Sequence, residues 1–116
     1  MAWSEIRLAD SQYVSNSASV IVTNAVSIKT QVKTITLFNN NTTTETVKIY
    51  RVPDSAGSVG TAGVSNQIYQ LDVTTKQTVL IEILGLGWIL SDTNDTIQME
   101  TTTASKVVVC VDGATQ

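Results

Sequence analysis

Histidine does not occur in this chain, and cysteine and proline occur once each. Without histidine the commonest general base and the commonest metal ligand are missing. The single thiol, Cys110, has no partner for an intrachain disulfide. It sits within Val107 to Val111, an unbroken apolar run where a thiol behaves as a small hydrophobe. Charge is also scarce: Asp, Glu, Lys and Arg make up 15% of the residues, against about a quarter in ordinary globular chains. The seven basic residues are scattered and the net charge is −3. Phosphate backbones are gripped by clustered Lys and Arg, so nucleic acid is not an expected partner. No apolar run reaches the roughly 18 residues that would span a membrane, and no membrane partner is expected. The longest, Val79 to Leu90, is broken by Glu82, Gly85 and Gly87. The opening M-A-W-S-E-I-R-L lacks a basic stretch followed by an apolar one, so assembly in a reducing cytoplasm is the expectation.

What the chain has instead is valine, threonine and serine in short patterned runs. β-Branched and aromatic residues suit a pleated, half-buried surface. At 116 residues the chain has the length of one domain with one modest core. Two such runs, Val26 to Phe38 and Glu45 to Val52, flank an Asn/Thr tract, Asn39 to Thr44. Asn accepts left-handed backbone, so the tract reads as the turn of a β-hairpin. Within the first run the alternation changes phase: Val26, Ile28 and Val32 are even, Ile35 and Leu37 odd. Side chains alternate with period two, so this predicts a β-bulge or break near Lys33 and Thr34, and a strand able to serve two sheets.

Elsewhere Ser19–Thr23, Asn66–Val73, Thr78–Leu84, Thr96–Thr101 and Lys106–Asp112 read as strands separated by turn residues. The stretch Gly85–Leu90 reads as a tight crossing, with Trp88 in the core. Pro53 ends the strand before it, having no N–H to donate. The following Asp54 to Ser65, with Gly57, Gly60 and Gly63, reads as a flexible surface loop. It lacks the Lys and the helix of a phosphate loop. The expected fold is all-β: a single antiparallel β-sandwich, immunoglobulin-like or jelly-roll-like, of seven to eight strands. The sandwich occupies residues 19–116, and residues 1–18 form an N-terminal arm or edge strand.

Candidate chemistry is thin. Asp92-Thr93-Asn94-Asp95 offers oxygen ligands for a cation, but the same residues are what a β-turn selects. Glu82 and Glu100 would make a glycosidase-like carboxylate pair only if adjacent strands aligned them. The expectation is a protein that is not an enzyme and uses no cofactor or metal. A different signal comes from apolar residues on faces opposite the expected core: Tyr50, Val52, Ile68, Leu80, Val108 and Cys110. Together with Trp3, a candidate docking anchor near the start, they mark an expected interface of a homo-oligomer.

The order V-I-V-T (Val20–Thr23), V-K-T-I-T-L-F-N-N-N-T (Val32–Thr42), E-T-V-K-I-Y-R-V-P (Glu45–Pro53), G-W-I-L-S-D-T-N-D-T-I-Q (Gly87–Gln98) and A-S-K-V-V-V-C-V-D-G (Ala104–Gly113) resembles small β-sandwich virion proteins of tailed bacteriophages. Their pattern has a strand ending near V-P, a Gly-rich loop, an L-x-x-G-D-x-I segment and a closing V-x-V-x-V-x-G strand. Thr93-Asn94-Asp95 departs from it where the family favours Gly before Asp. The resemblance implies a structural protein of the virion, assembled in the host cytoplasm. A capsid decoration (cement) protein that binds the major capsid protein, as a trimer for preference, is the leading expectation. A neck, collar or tail-fibre protein is the alternative, and a stand-alone binding module the second. A carbohydrate module would want a row of exposed rings, whereas Trp3, Tyr13, Tyr50, Tyr69 and Trp88 are spread along the chain.

Overall fold

The computed structural model describes residues 2–116. Nine strands build it: β1 (Ser4–Tyr13), β2 (Ser19–Thr23), β3 (Thr30–Asn39), β4 (Glu45–Val52), β5 (Gln67–Val73), β6 (Thr78–Glu82), β7 (Trp88–Leu90), β8 (Thr96–Thr101) and β9 (Val107–Thr115). They form two antiparallel sheets. Sheet A runs β1-β9-β3-β6, with β7 also paired to β3, and sheet B runs β2-β8-β4-β5. Successive strands cross from one sheet to the other except at β4–β5 and β6–β7. This is the connectivity of a double-sheet jelly roll, and it settles the choice against an immunoglobulin order. The ninth strand is β7, three residues within what the sequence shows as a tight crossing.

The core lies between the sheets and is made by alternation. From β3, Ile35 and Leu37 point inward, and from β9, Val107, Val109 and Val111, all of them fully buried. From sheet B come Val47, Ile49, Ile97 and Met99, buried to the same degree. Each such side chain stabilises the fold by about 1.5–3 kcal/mol relative to exposure. Trp88 packs against this cluster half-buried.

The bulge expected near Lys33 is present: the β3–β9 register shifts between Val32 and Thr34. Its role differs from the expected one. β3 stays in sheet A and changes neighbours instead. Thr30, Gln31 and Val32 pair with β7, and Thr34 to Phe38 pair with β6. The strand also begins later than its sequence pattern suggests. Ser27 takes φ +59°, and the buried Asn24 side chain donates to the Ile28 and Asp92 carbonyls at 2.7 and 3.0 Å. Val26 is left exposed on this turn rather than in a strand.

The expected hairpin between β3 and β4 is also corrected, because the two strands belong to different sheets. The Asn/Thr tract is an arch across the end of the sandwich. Asn39 pins it, donating to the Thr43 and Val73 carbonyls at 2.9 and 2.8 Å and accepting from the Asn41 N–H at 2.8 Å. Glu45, 1% exposed, accepts from Asn41 Nδ2 and from the Thr103 N–H. Only Asn39 and Glu45, at the two ends of the arch, are buried, while Asn40 and Thr42 to Thr44 are exposed. The side chains of these two satisfy its backbone groups, which the local sequence pattern does not distinguish from a hairpin loop.

Candidate surface for assembly

The outward-facing residues of sheet A follow from the register. One row across the sheet is Tyr13, Val108, Phe38 and Thr78, and the next is Cys110, Thr36 and Leu80. Tyr13 is 54% and Leu80 55% exposed, while Phe38, Val108 and Cys110 are half-buried. A third row holds Arg7, Asp112, Thr34 and Glu82, with Arg7 3.2 Å from Asp10 and 4.0 Å from Asp112. Beyond it lies an open groove of about 640 Å³, lined by Trp3, Glu5, Ile6, Gln31, Lys33, Asp112, Gly113 and Ala114. Trp3, Leu80, Val108 and Cys110 therefore share one outer face.

Tyr50 and Val52 do not join them, which corrects their assignment to an exposed patch. Both point outward from β4, but on sheet B, and they are 5% and 2% exposed. Their cover comes from the same chain. The Gly-rich segment after Pro53 folds back over sheet B, where Gln98 Nε2 donates to the Gly60 carbonyl at 3.1 Å. A Cβ on Gly60 would come within 2.7 Å of the Pro53 oxygen and 2.9 Å of Val52 Cγ1, so the close approach requires glycine. The segment is thus packed rather than a free surface loop. Ile68 lies apart from both groups, 41% exposed at a bulge on the edge strand β5.

Apart from Val20 on β2, 41% exposed, the remaining outer face of sheet B is polar, with Thr46, Lys48, Gln70, Asp72 and Glu100. The Tyr50 hydroxyl donates to Glu100. That hydrogen bond, together with burial, pushes the Tyr50 pKa from 10.0 up to about 12. A phenol held protonated in the folded chain stabilises it below the unfolded pKa near 10, and that contribution is lost as pH rises through about 12. Melting temperatures of the wild type and Tyr50→Phe should therefore converge as pH rises from 10 to 12. Below pH 10 the variant should be less stable by about 1–3 kcal/mol. A constant gap across that window would disprove the linkage.

The Asp92–Asp95 segment is a turn organiser. Asp95 Oδ1 accepts from the Asp54 N–H at 2.8 Å, and Oδ2 from the N–H groups of Ser91 and Asp92 at 3.3 and 3.0 Å. Asn94, at φ +73°, donates to the Gly57 carbonyl. The turn thereby anchors the segment that covers sheet B. Glu82 and Glu100 lie on different sheets, so no strand pairing aligns them as a carboxylate pair. Among the described residues, no group of three or more Cys, Asp or Glu is placed to hold a metal ion.

Tyr13 and Phe38 are members of the sheet A face that the sequence reading left out. Phe38 carries a readable signal: it follows Leu37, and consecutive apolar residues in a strand must occupy both faces. Tyr13 precedes Val14 and carries the same signal in an otherwise polar stretch, but only its pairing with Val108 places it on this face.

No protein-family model matches the sequence, and no curated protein is similar to it in sequence. Among solved structures, the chain is similar to one from the Bacillus endospore appendages, described as a novel family of disulfide-linked pili. The TM-score is 0.54 at 13% identity, over 97% of this chain and 86% of that one. At that identity the likeness shows the fold alone.

Proposed function

We propose that this protein is a structural subunit of a bacteriophage virion, one that decorates the capsid and stabilises it by burying surface against its neighbours. The observation that carries the proposal is the contrast between the two outer faces. Sheet B covers Tyr50 and Val52 with a segment of its own chain, and leaves only Val20 and Ile68 singly exposed near its edges. Sheet A leaves Tyr13, Phe38, Leu80, Val108 and Cys110 with no such cover. Contiguous apolar surface rimmed by charge suits a protein interface. The partner is the major capsid protein or another virion protein, and the site of assembly is the host cytoplasm. A jelly roll by itself names no function.

A second reading, a subunit of a homopolymeric filament, draws on the structural likeness to a chain from disulfide-linked pili. Cys110, free and half-buried on the sheet A face, is the one thiol such a filament would have for covalent linkage. The test is the copy number of this chain in purified phage particles, by mass spectrometry against the major capsid protein. A number comparable to the capsid protein supports decoration, whereas a small fraction of it places the chain in the neck or tail. Absence from particles, with filaments formed by the purified chain, would replace the virion reading with the pilus one.

A further inference from the structure

We propose that the outer face of sheet A is a twofold interface between two copies of this chain, packed face to face with their strands antiparallel. The inference rests on the structural-subunit reading and names one partner for its exposed face. The argument begins with the placement of charge. β6 and β9 both run antiparallel to β3, so they run parallel to each other. Each has a lysine just before its first residue: Lys106 for β9 and, one turn residue away, Lys76 for β6, whose charged Nζ also donates to the Asn40 carbonyl and Oδ1 at 2.9 Å. Each carries a carboxylate toward its other end, Glu82 on β6 and Asp112 on β9. The Val108–Phe38 end of the face is therefore basic.

The other end is acidic in excess. Glu5, Glu82 and Asp112 lie there with Lys33 and Arg7, and Arg7 is already engaged by Asp10 and Asp112. Between the two ends lie the apolar rows. An isologous pair needs a surface complementary to itself. A twofold axis lying across the strands reverses their direction and sets the basic end of one copy over the acidic end of the other. The same axis lays β6 on β6 and β9 on β9. Lys76 of each copy then faces Glu82 of the second, and Lys106 faces Asp112. An axis along the strands would instead stack the lysines together. Opposed charges around an apolar centre fix register and exclude the wrong orientation.

Sedimentation velocity of the purified chain over a concentration series tests this. The expected result is a monomer–dimer equilibrium, weakened by salt because the flanking pairs are exposed. Leu80→Glu should weaken the dimer at least tenfold, since it buries a charge at the centre. Leu80 is exposed in the monomer, so circular dichroism should show the fold unchanged. The decisive set is Lys76→Glu, Glu82→Lys and the double variant, all at exposed positions. Each single variant should weaken association by roughly tenfold at low salt, from two symmetry-related pairs. The double variant should restore it. Single variants that strengthen association would mean that like ends meet, and would overturn the proposed axis. A monomer at all concentrations, a trimer or an open filament would overturn the twofold pair. The virion proposal would survive any of these if copy number in particles supports it, and would fail separately if the chain is absent from them.

Discussion

Gly113→Ala should lower stability by more than about 3 kcal/mol, and Gly113→Val should leave no folded protein at 25 °C. Gly113 sits in β9 between Ile6 of β1 and Val32 of β3. A Cβ there would lie 1.9 Å from the Gln31 carbonyl oxygen, 3.0 Å from the Gln31 carbon and 2.8 Å from Leu8 Cδ1. The leucine can rotate away, but the backbone of β3 cannot move without separating from β9. The obstacle is space rather than dihedral angle: beside the register shift the Gln31 backbone occupies the place of a side chain. Gly63→Ala is the control, since nothing lies within 4 Å of a Cβ there and the residue is extended. Urea unfolding of the two alanine variants should separate them clearly. Equal midpoints would show that the strands relax at no cost and that the close approach is incidental.

Asn39→Ala should cost about 2–4 kcal/mol, with the melting temperature lowered by roughly 10–20 °C. Asn39 is fully buried, and all three of its side-chain hydrogen bonds hold the arch between the sheets. Truncation leaves the Val73 carbonyl without its donor in a buried site, and the Thr43 carbonyl without its tie to the core. Thr42→Ala, three residues beyond on the exposed part of the arch, should change stability by less than about 0.5 kcal/mol. Differential scanning calorimetry of both variants checks the pair. An Asn39→Ala midpoint within a few degrees of the wild type would show that the arch is held by its strands alone.

Strand positions were readable because their signal is local. The Val/Thr alternation located β2, β5, β6 and β8 to within a few residues, and the phase change at Lys33 located the bulge. Which strands pair is a non-local matter, and there the sequence misled. Asn39–Thr44 has the composition of a hairpin turn, yet the buried contacts of Asn39 and Glu45 make it a crossing between sheets. The candidate surface divided for the same reason. Alternation correctly sets Tyr50, Val52, Leu80, Val108 and Cys110 outward, but it cannot say what covers an outward face. A glycine-rich segment looks mobile until Gly60 is seen against Val52. Glycine there permits close packing as well as freedom.

The place of β9 between β1 and β3 has a consequence for the timing of folding. A ribosome that has made the first eight strands has made no neighbour for β1, and only one side of β3 can pair. Pairing across such sequence separations is slow, and strands awaiting partners expose edges prone to aggregation. Tyr13 joins Phe38 and Leu80 in one surface only when β9 adds Val108 and Cys110 between β1 and β3. Under the proposed twofold pairing, the complete face is available for docking only after the last strand has been made. Synthesis itself would then act as the clock that separates folding from the proposed pairing.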